Sequence, residues 1–146
     1  MLRVFVVASV IVAVCVLIHI TGMVLLAEWL IDRRASLERH SALWRLGLIL
    51  VMAFAITVML HLTETAIWAA FYWWWSLFPD YETSLYYSLT CYTTMGFGDV
   101  VLPEKWRLLG GIEGFSGVLL CGLSTAFIFV IVSALLEIRA KHSNES

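Results

Sequence analysis

Three long apolar segments constrain this chain more than any other feature of its sequence. They cover residues 4–31, 46–78 and 108–138. A bilayer-spanning helix needs about 20 predominantly apolar residues, so each segment is long enough to cross a membrane. The chain is only 14% charged and has a mean hydropathy of +0.92, whereas soluble domains contain about 25% charged residues. The sequence therefore predicts an all-α integral membrane protein with three transmembrane helices.

The charges and motifs also argue against several functions. The net charge is -2, so the chain has no basic surplus with which to bind nucleic acid. No nucleophile with a positioned base is visible, and His61-x-x-Glu64 lacks the second histidine of a zinc-protease helix. We therefore predict that the protein is not an enzyme and has no cofactor, no small-molecule substrate and no nucleic-acid partner.

The distribution of basic residues predicts the orientation in the membrane. Four arginines lie between the first two apolar segments or at their ends: Arg33, Arg34, Arg39 and Arg45. Cytoplasmic loops carry an excess of Lys and Arg, so we predict a cytoplasmic loop at 35–45, an outer N-terminus and a cytoplasmic tail at 141–146. The three tryptophans at 73–75 suit the outer interface. The predicted location is the plasma (inner) membrane, where lipids are partners.

The connection between the second and third segments contains a short apolar stretch that cannot cross the bilayer. Residues 83–92 have a helical pattern, but they are too few to span. They are followed by Thr-Met-Gly-Phe-Gly-Asp at 94–99, which we call the glycine loop. Irregular backbone at membrane depth is tolerated only inside protein or beside a water-filled cavity. The sequence therefore predicts a re-entrant helix and loop.

The glycine loop has the composition needed to bind a dehydrated cation. A pore must replace the hydration shell of the ion with oxygen atoms, and backbone carbonyls can supply them. Gly96 and Gly98, two residues apart, permit the alternating backbone angles that direct successive carbonyls to one axis. The side chains of Met95 and Phe97 would then point away from that axis. Thr94 would add a hydroxyl oxygen.

The glycine loop resembles the selectivity filter of the potassium channel family, which usually reads Thr-Val-Gly-Tyr-Gly-Asp. The resemblance covers about residues 68–132. It implies a domain order of an N-terminal transmembrane helix (1–34), a loop (35–45), an ion-channel pore domain (46–140) and a tail (141–146). It also implies a homotetramer, because four loops are needed to surround an ion. The expected ion-binding residues are Thr94, Met95, Gly96, Phe97 and Gly98, with K⁺ at Thr94, Met95, Gly96 and Phe97.

Other residues receive supporting roles from the same resemblance. Those expected to support the filter are Asp99, Thr90, Tyr86 and Tyr87. Candidates for the cavity, hinge or gate on the third crossing are Thr125, Phe129, Ser133, Gly117 and Gly122.

Two departures from the family pattern leave alternatives open. Met95 replaces a branched residue and Phe97 replaces tyrosine, and methionine packs less specifically. We predict a potassium-selective channel that conducts passively. A weakly selective cation channel and a non-conducting accessory membrane subunit are the alternatives.

Ionisable residues inside the crossings form a last group of candidates. His61 and Glu64 lie on one face of the second crossing, and Glu113 lies in the third. Charged groups in the bilayer are costly, so each must face protein or water. They are candidates for pH sensing; alternatively, the two glutamates hold helices together by hydrogen bonds. His19, alone on the first crossing, is typical of an interhelical hydrogen-bonding residue.

Overall fold

The computed structural model describes residues 2–39 and 43–144. Three long helices, α1 (Leu2–Arg39), α2 (Leu43–Trp74) and α4 (Arg107–Asn144), form the body of the molecule. The connection from α2 to α4 contains the short helix α3 (Tyr81–Tyr92) and a 3₁₀ turn over Glu104–Trp106. Three helices are long and apolar enough to cross a membrane, and the described residues include no strand. The prediction of an all-helical integral membrane protein is confirmed.

Two of the helices are longer than predicted. α1 continues to Arg39 and α2 begins at Leu43, so most of the predicted loop at 35–45 is helical, and residues 40–42 lie outside the described residues. α4 continues to Asn144 and includes most of the predicted tail at 141–146, of which 145–146 are outside the description. A helix satisfies its own backbone hydrogen bonds and can therefore continue past the apolar stretch that the membrane requires.

α3 is a short helix with a well-defined start. The carboxylate of Asp80 accepts a hydrogen bond from the backbone N–H of Thr83 at 2.7 Å and another from the Thr83 hydroxyl at 3.1 Å. These two bonds lower the pKa of Asp80, as expected for an N-cap carboxylate. The helix has 12 residues and is thus about 18 Å long, roughly half of what a bilayer crossing needs.

Two apolar clusters connect the long helices at opposite ends of the molecule. The first joins the start of α1 to the end of α2 and the start of α4, and includes Val4, Ala8, Ile11, Cys15, Trp68, Tyr72, Leu109 and Leu120. The second joins the end of α1 to the start of α2 and the later part of α4, and contains Leu26, Leu46, Ile49, Ala53, Ile131 and Leu135. α1 and α4 are therefore parallel, and α2 is antiparallel to both. Three alternating crossings require this arrangement.

Large apolar side chains cover the outside of the bundle. Phe54 is 62% exposed, Phe115 is 67% exposed and Phe129 is 70% exposed. A soluble monomer rarely exposes apolar patches of this extent. Lipid or further copies of the chain must therefore cover these surfaces.

Candidate functional site

The glycine loop begins where α3 ends, and backbone hydrogen bonds hold its first residues. The N–H of Thr94 donates to the carbonyl of Cys91 at 2.9 Å, and the N–H of Gly96 donates to the carbonyl of Thr90 at 3.1 Å. Both acceptors belong to the last turn of α3. The loop therefore starts from a fixed position relative to the helix.

The backbone of the glycine loop alternates as the spacing predicts. Gly96 has a φ of +50° and Gly98 a φ of +79°, values that glycine adopts without steric cost. Thr94 also has a positive φ, +60°, which is unusual for a β-branched residue and costs of the order of 1–3 kcal/mol. Nothing in the sequence indicates this conformation of Thr94. Such strain at the start of an exposed loop is typical of functional sites.

Most of the loop surface is open. A Cβ atom built on Gly96 or Gly98 would meet nothing within 4 Å, and the side chains of Met95 and Phe97 are 66% and 67% exposed. Beside the loop lies a cleft of about 270 Å³ between α3, α4 and the loop itself. It is lined by Thr90, Cys91, Thr94, Gly96, Gly110, Gly111, Gly114 and Phe115. One chain therefore leaves both the loop and the cleft uncovered.

Tyr86 is the partner of Asp99 at the far end of the loop. Its hydroxyl donates to the Asp99 Oδ2 atom at 2.7 Å. This hydrogen bond lowers the pKa of Asp99 and raises the pKa of Tyr86, because it favours the ionised carboxylate. The α3 residue that contacts Asp99 is thus a tyrosine, through its hydroxyl group.

The other two predicted supports have different positions. Thr90 contacts the loop through its carbonyl, while its hydroxyl donates to the carbonyl of Tyr87 at 2.8 Å. The ring of Tyr87 packs behind α3, with ring centroids 4.9 Å from Phe78 and 5.4 Å from Tyr72. Burial raises the pKa of Tyr87. Neither side chain is bonded to Asp99.

The two predicted glycines of α4 differ in their surroundings. A Cβ on Gly117 would collide with the backbone carbonyl of Tyr92, whereas one on Gly122 would meet nothing within 4 Å. Gly117 is thus a close contact between α4 and the end of α3. The cavity candidates Thr125, Phe129 and Ser133 are all exposed on α4.

We expect Gly117→Ala to destabilise the protein. Its Cβ meets backbone rather than a flexible side chain, so α3 and α4 must separate, at a cost of about 1–3 kcal/mol. Thermal unfolding of the protein in detergent measures this cost. The matched control is Gly122→Ala, for which we expect equal or higher stability because alanine is the better helix former. Equal unfolding temperatures for Gly117→Ala and the wild type would contradict the close contact.

Glu113 is completely buried and connects three helices. The hydroxyl of Tyr72 donates to its Oε2 atom at 2.6 Å, and the hydroxyl of Ser88 lies 2.5 Å from its Oε1 atom. Tyr72 belongs to α2, Ser88 to α3 and Glu113 to α4. The contacts match the alternative in which this glutamate holds helices together.

His61 and Glu64 belong to a second buried network, which also includes His19. The His19 Nδ1 atom lies 2.7 Å from Glu64 Oε1, and the His61 Nδ1 atom lies 3.3 Å from Glu64 Oε2. Tyr92 donates to Glu64, and its hydroxyl is also 2.8 Å from His61 Nδ1. The Oγ atom of Ser124 lies 2.9 Å from His19 Nε2 and 3.0 Å from His61 Nε2. Proton sensing by His61, Glu64 or Glu113 stays a prediction.

Sequence reasoning missed two members of this network and the partner of a third. His19 makes the interhelical bond that its residue type indicates, but its partner Glu64 is 45 positions away. Tyr92 and Ser124 carried no signal beyond being polar residues in apolar segments. Their roles follow from how the helices pack.

Comparison with known proteins gives one result. Residues 46–134, more than half of the chain, match the family model described as "Ion channel". No curated protein and no solved structure matches the chain. The matched residues include α3, the glycine loop and most of α2 and α4, while α1 lies outside them.

Proposed function

Because this chain belongs to the ion channel family, we propose that it is a potassium-selective channel. In this proposal four copies form a homotetramer and K⁺ passes passively through the glycine loops on the fourfold axis. The ion is bound by oxygen atoms of Thr94, Met95, Gly96 and Phe97, with Gly98 at the outer end. The family is generally not enzymatic.

The observation that carries this proposal is the backbone of the glycine loop. Gly96 and Gly98 both have positive φ and lie on either side of Phe97. Alternating backbone angles bring successive carbonyl groups to one side of a strand, and a ring of such oxygens can replace the hydration shell of a cation. The loop follows a helix too short to cross a bilayer, which would leave the loop at membrane depth. Irregular backbone at that depth must be covered by protein or line a water-filled cavity, as a filter does.

The exposed surfaces of one chain support the tetramer. Met95 and Phe97 are apolar and largely uncovered, and the cleft beside the loop is open. In a ring of four copies, the apolar side chains of one loop would occupy the space left beside α3 and α4 of the next. Burial of this apolar surface would stabilise the ring by about 25 cal/mol per Å².

The exposed face of α4 supports a pathway below the filter. One face of α4 carries three exposed residues on successive turns, Thr125, Phe129 and Ser133. In the tetramer we place them on the cytoplasmic half of the pathway, with Gly122 above them. This placement assigns the C-terminus to the cytoplasm and the glycine loop to the outer half of the plasma membrane.

Ion flux from the purified protein tests the proposal. We expect protein reconstituted in liposomes with a K⁺ gradient to give a flux that Ba²⁺ blocks, and to give reversal potentials close to the K⁺ equilibrium potential in mixed K⁺ and Na⁺ solutions. A reversal potential near zero would instead indicate a weakly selective cation channel. Absence of flux from correctly assembled tetramers would indicate an accessory subunit.

A further inference from the structure

The buried network around Glu64 brings together three side chains that bind transition metals. His19, His61 and Glu64 each offer one ligand atom, and these atoms lie within 4.8 Å of one another. His19 and Glu64 are fully buried, and the side chain of His61 is 19% exposed. Two imidazoles and one carboxylate form a ligand set that zinc enzymes use.

Ser124 orients the two imidazole rings. Its hydroxyl donates to the carbonyl of Leu120 at 2.9 Å, and its oxygen also lies 2.9 Å from His19 Nε2 and 3.0 Å from His61 Nε2. Both rings are therefore held through Nε2, with their Nδ1 atoms beside Glu64. Ligand histidines are commonly held in this way through their second nitrogen.

The other side of the network brings together groups that can bind a cation. The Nδ1 atoms of His19 and His61 both contact the Glu64 carboxylate, and Tyr92 donates its proton to that carboxylate. A metal ion that displaced the protons between these groups would contact all three of them.

We propose that His19, His61 and Glu64 bind a divalent transition metal ion of the zinc class. Imidazole nitrogen favours zinc-like ions over Mg²⁺ or Ca²⁺, which prefer oxygen ligands. Two ligands of a tetrahedral zinc ion lie roughly 3.4 Å apart. The 3.3 Å between His61 Nδ1 and Glu64 Oε2 matches this spacing, and the 2.7 Å between His19 Nδ1 and Glu64 Oε1 would widen as the metal enters. The hydroxyl of Tyr92 is the neighbouring oxygen for the fourth position.

The site would attach α1 to the family-matched part of the chain. His19 belongs to α1, outside residues 46–134, whereas His61 and Glu64 belong to α2 within them. The bound metal would therefore stabilise the packing of the additional helix on the channel domain. This inference does not depend on K⁺ selectivity or on conduction.

Metal binding to the purified protein tests the site. The background variant is His40→Ala with His142→Ala, which removes the two histidines outside the network. After treatment with a chelator, we expect this variant to bind one Zn²⁺ per chain and to give the intense visible absorption of four-coordinate Co²⁺. We also expect its unfolding temperature to rise by roughly 5–10 °C at a Zn²⁺ concentration of 100 times the Kd.

Variants of the network decide whether the metal lies there. Adding His19→Ala or His61→Ala to the background variant should abolish binding, and Ser124→Ala should weaken it about 10–100-fold. The matched control is Thr63→Ala, because Thr63 is exposed and, like Ser124, its hydroxyl donates to the carbonyl four residues earlier. It should leave the affinity unchanged. Absence of Zn²⁺ from the background variant, or an unchanged affinity in Ser124→Ala, would overturn the proposal even if the histidine variants fail to fold.

Discussion

In the proposed channel, Gly96→Ala should abolish K⁺ flux and leave the tetramer assembled. Gly96 has a φ of +50°, where an alanine is disfavoured by about 1–2 kcal/mol per residue. In a ring of four copies this cost is incurred four times. The loop can relieve it only by rotating the peptide, which turns a carbonyl away from the ion, or it can retain the strain with four methyl groups beside the pathway. The first outcome removes an oxygen ring that conduction requires, and the second narrows the pathway.

Flux and assembly are measured on the same preparation. Liposomes report K⁺ flux, and size-exclusion chromatography with light scattering reports the mass of the assembly in detergent. The matched control is Gly47→Ala, since Gly47 has open space around it, lies in α2 and is not on the proposed pathway. Wild-type K⁺ flux through Gly96→Ala would contradict the assignment of the glycine loop as the filter.

Glu113→Ala should strongly destabilise the folded chain. Glu113 is 0% exposed and accepts from Tyr72 while it contacts Ser88. Its removal leaves the buried Tyr72 hydroxyl without that partner, at a cost of about 1–3 kcal/mol, and creates a cavity that costs further stability. The total is about 2–5 kcal/mol, because α2, α3 and α4 all lose a contact. Denaturant or thermal unfolding in detergent measures the loss.

Glu113→Gln is the matched control for this result. Its amide oxygen can accept from one of the two hydroxyls and its volume is nearly the same, so we expect a loss of less than half that of Glu113→Ala. Ser88 lies 2.8 Å from the carbonyl of Thr65 as well, so one of its contacts survives in both variants. If Glu113→Ala unfolded at the wild-type temperature, the role of Glu113 in joining the helices would be refuted.

The resemblance of the glycine loop to a filter could be recognised from the sequence, because the backbone conformation that a filter needs depends on single residues of the loop. Gly96 and Gly98 are two residues apart, and their freedom at positive φ depends on their own missing Cβ atoms rather than on distant neighbours. Likewise, the length of residues 83–92 is enough to show that α3 cannot cross a bilayer. The positive φ of Thr94 could not be predicted, because threonine is a β-branched residue that rarely adopts it.

For the buried polar residues, the sequence predicts burial but not the hydrogen-bond partners. Their burial was predictable, because an ionisable group in an apolar crossing must face protein or water. Their partners were not: Glu64 pairs with His19, and Glu113 with Tyr72, 41 positions away. At the surface, the hydroxyl that contacts Asp99 belongs to Tyr86, one of the residues expected to support the filter.

By itself, the sequence determined that the chain enters a membrane, how many times it can cross, and where its backbone needs glycine. These properties depend on composition, segment length and the conformational range of single residues. Only the tertiary structure decided which polar side chains meet. A helix fixes the relative positions of its own side chains, but its rotation and displacement against neighbouring helices are set by packing along its whole length.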